Sequence, residues 1–365
     1  WDGKKATIHG FKIWQEQGRG ITIDGTISDS AEDTLKVGLQ DINVEYILDL
    51  VNFRSVLFQG LATGTAIGTG LLSSPHATAD ITVNNFHFNN APMGTLKAKA
   101  GWGDTPYFLA LDAAITDKDR GHTSLIKGGF NIGSKEIPDG LDLKINTKGF
   151  NLAFMNFFTK DILEDVNGQA TGYCRIFGSF KNIDLEGDLA IDHASMKLPM
   201  LGTKYHLRQD SVHLRPGVIS IEAMISDDTA TPIAHPFRKD SNTPNDIPHT
   251  ARLYGRLMHE NFKNLHYDFD IQACRLLGYD FKDFGESSFY ATCIATGDIE
   301  VKGGPGRLNV NINATPEAGT VFTYNVSTPE ALTEANFITF NDATPLLQSD
   351  SLARAQSAHI PPISS

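Results

Sequence analysis

The chain has few of the residues and motifs that mark the commoner functional classes. Its 365 residues include only three cysteines, Cys174, Cys274 and Cys293, and no CxxC pair, so a zinc ribbon has no ligand set. The net charge of −12 argues against a nucleic-acid role and against electrostatic docking on an anionic membrane. No apolar run reaches the roughly 18 residues that a membrane-spanning helix needs.

Catalytic signatures are missing as well. The sequence contains no GxSxG elbow, P-loop, HExxH pair or EF-hand loop. The glycine-rich run Gly64–Gly70 lacks a βαβ context and does not predict a nucleotide site. Four histidines lie close together in sequence, but their spacing fits no metal-ligand pattern: His235, His249, His259 and His266. We therefore expect no enzyme, no cofactor and no metal site.

The cysteines leave two readings open, and neither fixes the cellular compartment. Cys274 and Cys293 are the nearest pair and could form one disulfide, while buried free thiols are the alternative. The chain opens at Trp1 within a strand-like pattern and without an initiator Met. We expect it to be an internal piece of a longer protein, with any membrane anchor or export signal outside it.

What the chain does have is strand-like alternation of apolar and polar residues. A period of two gives each strand one apolar and one polar face, and 33 glycines suit turns between short strands. This predicts an all-β protein with a few short helices, at Val44–Val51, Leu152–Val166, Gln272–Tyr279 and from Thr328-Pro329-Glu330. The apolar face must be covered by a sandwich, a closed barrel or a trough, and periodicity alone favours a sealed sandwich.

A β-rich unit recurs with its landmarks in the same order, which favours an elongated, stacked architecture. The landmarks are Ala62-Thr63-Gly64, Pro92-Met93, Ile115-Thr116-Asp117 and His122-Thr123, then Ala170-Thr171-Gly172, Pro199-Met200, Ile225-Ser226-Asp227 and His249-Thr250, then Ala295-Thr296-Gly297. We predict a first repeat unit at 1–130 and a second at 131–257, with a loop insertion at 228–248. A third, incomplete unit follows at 258–340, and a flexible tail or linker at 341–365.

Several segments resemble the TamB family of envelope translocation and assembly proteins, in the form seen in Bacteroidetes. The order and spacing of strands and glycines carry the resemblance over about 130–340, and more weakly over 1–130, in Asp161–Ile191, Pro199–Tyr205, Leu253–Leu265 and Tyr290–Tyr324. The resemblance implies an AsmA-like, bridge-forming lipid-transfer protein of which this chain is an internal fragment. Its fold is expected to be a β-taco, a long U-shaped antiparallel sheet with a hydrophobic groove, and a trough then becomes the better prediction than a sealed sandwich.

The same resemblance implies a place and partners. The full-length protein is expected to be anchored in the inner membrane and to span the periplasm. It would carry phospholipid to the outer membrane and support outer-membrane protein assembly with a BamA-like barrel partner, through a C-terminal region missing from this chain. The resemblance supplies no catalytic residues.

Alternating apolar residues are the candidate lining of the groove, because acyl chains need continuous apolar surface rather than a reactive group. The predicted groove residues are Leu141, Leu143, Ile145, Ile183, Leu185, Leu189, Ile191, Leu308, Val310 and Ile312. Two alternatives stay open: a chaperone-like module that pairs its sheet edges with strands of barrel proteins, and a structural envelope spacer with a sealed core. An enzyme acting on envelope polysaccharide would need a facing carboxylate pair, which the sequence does not indicate.

Overall fold

The described part of the chain is almost entirely β-sheet. A computed structural model describes residues 5–15, 18–45, 56–102, 108–131, 139–159, 162–179, 181–207, 210–229, 247–260 and 263–325. Nineteen strands belong to one sheet, and every pairing is antiparallel. The prediction of an all-β, elongated antiparallel sheet is therefore confirmed.

The strands form a meander in which each pairs with its neighbours in sequence, apart from two strands that are interrupted. Their bounds are β1 Ala6–Trp14, β2 Gly20–Ile27, β3 Thr34–Asn43, β4 Phe58–Thr69, β5 His76–Phe88, β6 Ala91–Trp102, β7 Phe108–Asp117, β8 His122–Asn131, β9 Gly140–Asn151, β10 Glu164–Ser179, β11 Asn182–Leu198, β12 Thr203–Leu207, β13 Asp210–Arg215, β14 Val218–Asp227, β15 Thr250–Glu260, β16 Lys263–Asp280, β17 Phe289–Gly304, β18 Arg307–Pro316 and β19 Val321–Tyr324.

Two strands are interrupted, and the sheet has two edges. Both β12 and β13 pair with β11 and β14, so together they act as one strand. In the same way β18 and β19 both pair with β17. Among the described residues, no pairing joins β1 to β18 or β19. Within this part of the chain β1 is therefore one edge and β18 with β19 is the other.

The sheet runs through the predicted unit boundaries without a break. The boundary between 1–130 and 131–257 falls inside β8, and the boundary between 131–257 and 258–340 falls inside β15. Most of the predicted insertion and all of the predicted tail lie outside the described residues. The repeat units are thus stretches of one continuous ladder of backbone hydrogen bonds.

The first two predicted helices are short where the structure describes them. Leu152–Met155 is a 3-10 turn, and one α-helical turn, Asn156–Thr159, follows it. The prediction of a helix over Leu152–Val166 was wrong in extent, because β10 already begins at Glu164. Val44 and the next residue are helical. The rest of that predicted helix, and the one predicted from residue 328, lie outside the described residues.

The helix predicted at Gln272–Tyr279 is wrong, because these residues lie inside β16. Arg275 has a φ of 48°, and the register with β17 shifts twice, on both sides of Leu276 and Leu277. Each bulge inserts one residue into β16, so the side chains beyond it point to the opposite face from the one that simple alternation predicts. Cys274, Leu276 and Leu277 are therefore all buried. Counted from the buried Ala273, Leu276 and Leu277 are three and four residues further on, which is the spacing of a helix face.

The register lines up apolar side chains in rows across one face of the sheet. Directly paired residues of neighbouring strands point to the same side. One row crosses the whole sheet through Ile13, Ile21, Leu39, Gly64, Ile81, Ala98, Ala113, Ile126, Ile145, Cys174, Gly187, Leu214, Ile219, Leu257, Tyr267, Gly303 and Leu308. We call this side the apolar face.

The opposite side, here the charged face, carries cross-strand ion pairs. Lys99 lies 3.5 Å from Asp80, and both side chains are more than half exposed. On β10 the Arg175 guanidinium bridges carboxylates of both neighbouring strands, at 2.7 Å from Asp142 and 3.1 Å from Glu186. Ion pairs in contact with solvent contribute little to stability. Their importance is that they mark this face as the one in water.

The buried core lies at one end of the strands, the end that carries the repeat landmarks. One cluster there is centred on Ala62 and Met93, both fully buried, and a second on Ala170 and Ala251. Phe150 packs against both clusters. We call this the landmark end.

Hydrogen bonds between strands that are not neighbours hold the landmark end together. The Asn151 side-chain amide of β9 donates to the carbonyl of Pro92 on β6, at 3.1 Å. The Tyr205 hydroxyl of β12 donates to the carbonyl of Leu277 on β16, at 2.9 Å. These contacts bring strand ends over one another and cover the apolar face locally.

The Ala-Thr-Gly landmarks stabilise β-bulges. In each copy two residues of the preceding strand oppose the single threonine, and the second of the two has a positive φ. The threonine hydroxyl accepts the bulged N–H in all three, from Asp41 to Thr63 at 3.0 Å, Gly149 to Thr171 at 3.0 Å and Arg275 to Thr296 at 2.9 Å. The landmark threonine thus accepts a hydrogen bond from a backbone N–H that has no partner in the hydrogen-bond ladder between the strands.

The glycine of the same landmark is required because there is no room for a side chain at its position. Gly172 has a φ of 149°, and a Cβ added there would collide with the carbonyl oxygen of Asp188 on β11. The equivalent glycines of the other two copies face a carbonyl of the following strand in the same way. A side chain at this position would therefore push the two strands apart.

We expect Thr63→Val to destabilise the protein by about 1–2 kcal/mol, because the Asp41 N–H would lose its acceptor. Urea unfolding followed by circular dichroism measures the loss, and hydrogen exchange at the Asp41 amide should speed up. Thr65→Val is the matched control, since Thr65 lies two residues along on the same charged face and is exposed. Equal effects of the two substitutions would contradict the role assigned to Thr63.

Candidate functional site

The ten predicted groove residues all lie on the apolar face, which makes this face the candidate site. They sit on β9, β11 and β18, and the register aligns them across the sheet. Leu141 shares a row with Ile183, Leu143 with Leu185, Ile145 with Leu308, and Leu189 with Val310. Ile191 and Ile312 each lie two residues further along their strand, on the same side.

These ten residues differ in accessibility. Ile191 is 7 % exposed and belongs to the buried cluster around Ala170, so it is part of the core at the landmark end. Leu308, Val310 and Ile312 are 58 %, 46 % and 67 % exposed, because among the described strands β18 pairs only with β17. The other six have intermediate burial. The apolar face is therefore covered at the landmark end and accessible beyond it.

The strands between the predicted ones complete the rows. Ile176 lies between Leu143 and Leu185, and Val212 and Ile221 continue the row of Leu189. Sequence analysis missed these three residues because it considered only β9, β11 and β18. Alternation on β10, β13 and β14 was the signal that could have found them, but only the register shows which row each residue joins.

In the row of Leu143, alanines occupy the apolar face from β4 to β6. They are Ala66, Ala79 and Ala100. Larger side chains flank them in the same row, with Val37 on β3 and Leu111 on β7. Because alanine extends less far from the sheet, the apolar surface is lower here than on either side.

Cys174 is a thiol within the apolar rows. It lies opposite Ile145 on one side and Gly187 on the other, with intermediate exposure. Desolvation by burial raises the pKa of this thiol to about 11. The apolar neighbours of Cys174 in the rows therefore disfavour its thiolate form.

No disulfide forms among the three cysteines, which are all free thiols. Cys293 lies opposite Tyr279 in the register, five positions along β16 from Cys274. Although the bulges shorten β16, Cys274 and Cys293 remain about three residues apart along the strand direction, at roughly 3.3 Å per residue. A disulfide needs Cα atoms within about 7 Å. The free-thiol alternative therefore holds.

The cluster of Asp227, Thr229 and His249 at the landmark end does not build a reactive group. The buried Asp227 carboxylate accepts from the backbone N–H of Leu277 at 2.7 Å and of Thr229 at 2.8 Å. Both the Thr229 hydroxyl, at 2.7 Å, and Asp227, at 3.4 Å, approach Nδ1 of His249. A relay needs the two partners on different ring nitrogens. The cluster instead ties the turn after β14 to β16.

His122 is a second polar group buried at this end, at 2 % exposed. Nδ1 lies 3.2 Å from the Met93 carbonyl and Nε2 lies 2.7 Å from the Ser124 hydroxyl. These partners suit a neutral ring that donates from Nδ1 and accepts at Nε2. Desolvation by burial lowers the pKa of His122 below its usual range. Nδ1 therefore joins β8 to β6, and Nε2 is satisfied within β8.

Within the described ranges, no three His, Cys, Asp or Glu side chains are placed to hold a metal ion. Of the histidines singled out in the sequence, His235 lies outside those ranges. Among the same residues no helix is long and apolar enough to span a membrane.

Comparisons with protein-family models, curated proteins and solved structures found no match to the chain. The resemblance to the TamB family therefore stays a prediction from the sequence. The geometry of the apolar face is the independent observation on which a function can be argued.

We expect Cys174 to be alkylated by iodoacetamide about 10- to 100-fold more slowly at pH 8 than an exposed thiol, because only the thiolate reacts and its pKa is raised. The rate should keep rising between pH 7 and 9.5, without the plateau that an ordinary thiol of pKa near 8.5 approaches. Peptide mass spectrometry isolates Cys174 from the other cysteines. Tyr173→Cys in a Cys174→Ser background places the control thiol next door on the charged face. Equal rates at the two positions would show that the apolar face is wet.

Proposed function

We propose that this chain is an internal segment of a TamB-like protein whose apolar face carries the acyl chains of phospholipids. The observation that supports this most is continuity. The row that contains Ile145 passes from Ile13 on one edge strand to Leu308 on the other, and polar residues are absent from it apart from the Tyr267 hydroxyl. A path for lipid needs an apolar surface that does not end between two strands.

The energetics of such a path follow from its repetition. Moving an acyl chain from water onto an apolar surface gains about 0.8 kcal/mol for each buried CH₂ group. Strands lie about 4.8 Å apart, so a chain that moves by one strand exchanges one set of Leu, Ile, Val and Ala contacts for a similar set. The surface therefore holds acyl chains without a single deep well that would trap them.

The two faces also determine where the acyl chains and the headgroup of a lipid would lie. Arg175, Asp142 and their neighbours keep the charged face in water, so an acyl chain has one side of the sheet on which to lie. A phospholipid headgroup would stay at the rim of the apolar face, where it remains solvated. Moving a lipid in this way requires no reactive group, and the proposal therefore includes no enzymatic activity.

The setting of this function is part of the proposal. The segment would lie in the periplasm, in a protein anchored at the inner membrane, and pass phospholipid between the inner and outer membranes. Support of outer-membrane protein assembly with a BamA-like partner would be a linked role of the full-length protein. The TamB resemblance of the sequence supports both statements.

One observation favours a second candidate function, strand pairing with another protein. β18 pairs only with β17 among the described strands, and Leu308–Thr315 contains no charged residue and no proline. Proteins usually protect an edge with such residues. An unprotected edge can accept a strand of a partner, as the chaperone-like alternative requires.

We expect Leu143→Asp and Leu185→Asp each to abolish co-purification of phospholipid with the protein, because a carboxylate in the row of Leu143 interrupts the apolar surface. Native mass spectrometry with lipid extraction measures the bound lipid. Asn146→Asp is the matched control, since Asn146 lies on the same strand, is exposed and points to the charged face.

Circular dichroism must show that all three variants keep the sheet. Both partly buried leucines lie away from the core clusters, so the fold is expected to survive. Lipid that persists in folded Leu143→Asp and Leu185→Asp would refute conduction along this face and turn attention to the β18 edge. A wild-type protein that neither contains nor takes up phospholipid would point to the sealed-spacer alternative.

A further inference from the structure

Four aromatic side chains form a cluster at the landmark end of β16, β17 and β19. Phe322, at the sheet edge, is the exposed member of this cluster, and Tyr279, Phe281 and Phe289 are partly buried. Phe289 stacks on Phe322 with ring centroids 5.1 Å apart, and Tyr279 lies 6.0 Å from Phe289 and 5.0 Å from Phe281. We call these four residues the aromatic patch. Phe322 is 59 % exposed, which is unusual for an aromatic ring at the end of the strands where the core lies.

The first repeat copy has a similar aromatic cluster, but that one is covered. Phe58 on β4 stacks on Phe88 on β5, with centroids 5.5 Å apart, and Phe86 is 5.8 Å from Phe58. In both copies the aromatic residues lie on the strand that carries Ala-Thr-Gly and on the strand paired with it. Phe86 is only 3 % exposed.

The cover of the first cluster is the short helical segment Leu152–Thr159. Phe154 of this segment lies 5.4 Å from Phe88 and packs against the buried cluster. Two asparagines fix this segment in place. The Asn151 side chain caps its start, and the Asn156 side chain makes two hydrogen bonds with the backbone of Val166, at 2.8 and 2.9 Å. One helical turn with one aromatic residue is thus enough to cover such a cluster.

The chain leaves the described sheet beside the aromatic patch. The backbone N–H of Asn325 donates to the carbonyl of Ser288, the residue before Phe289, at 2.9 Å. Forty residues follow, from 326 to 365. Thr328 and Pro329, which are three and four residues after Asn325, have the sequence pattern of a helix start. The next residues include large apolar side chains at Leu332, Phe337, Ile338 and Phe340.

We propose that residues 328–340 are the segment that docks on the aromatic patch, in the way that Phe154 of Leu152–Thr159 packs against the cluster around Phe88. A tether of two residues gives the segment an effective concentration in the millimolar range or above, far beyond that of another molecule in solution. A second copy of the chain would have to approach against a net charge of −12 on each molecule. The chain's own segment is therefore the occupant.

Hydrogen–deuterium exchange of the full chain tests this inference. We expect amides within 331–339 to exchange at least about 10-fold more slowly than an unstructured peptide, and to lose that protection in Phe322→Asp. Phe337→Asp should produce the same loss from the other side of the contact. Phe322 is mostly exposed, so its substitution should leave the amides of β16 and β17 protected.

Phe11→Asp is the matched control, because Phe11 is an exposed aromatic residue of the apolar face on the opposite edge strand, at 49 %. It should leave the exchange of 331–339 unchanged. Absence of protection in the wild type, or equal protection in Phe322→Asp, overturns the inference. Protection that falls on dilution together with a change of oligomeric state assigns the patch to a second copy and also overturns it. Lipid binding on the apolar face is measured separately and does not depend on the result.

Discussion

An antiparallel ladder between sequence neighbours is the constraint on which the rest of this structure depends. It satisfies the backbone donors and acceptors of a very long sheet without any distant pairing. The same ladder fixes the direction of every side chain, so the alternation of the sequence becomes two faces of opposite character. Arg175 and its acidic partners can lie in water only because Ile176 and Cys174 point the other way. Charge on one side and apolar rows on the other are consequences of a single pairing rule.

The landmarks and the apolar face have different tasks. Thr63, Thr171 and Thr296 receive the N–H groups of bulges, and Asp227 and His122 join strands that are not neighbours. These residues preserve the bends and the core at the landmark end. The rows beyond it need only apolar side chains of suitable size. Recurring polar residues in this chain therefore report on the architecture, and the face proposed to bind lipid has no motif of its own.

Much of the fold could be predicted from the sequence, since alternation identifies strands whatever they pair with. The predicted groove residues of one strand share a side because residues two apart on a strand must do so, and the register then brings the three strands' residues to one face. Their role as a lipid groove stays a prediction. The failures have one physical origin. At Arg275 a bulge reverses the alternation, and the buried Ala273, Leu276 and Leu277 then have the spacing of a helix face. The burial of Ile191 and the exposure of Ile312 could not be predicted from the sequence either. They depend on which strand ends are covered by other strands and on which strand lies at the edge of the sheet.

Pairing only between neighbours in sequence has a consequence for how such a sheet can change its size. No strand must wait for a distant partner, so the sheet can assemble from one end as the chain becomes available, with a low contact order for an all-β protein. A hairpin inserted at a turn such as that between β7 and β8 adds about 10 Å in the direction across the strands, and the registers on both sides are kept. The span of the molecule is then a number of hairpins, which duplication or deletion can adjust to a required distance.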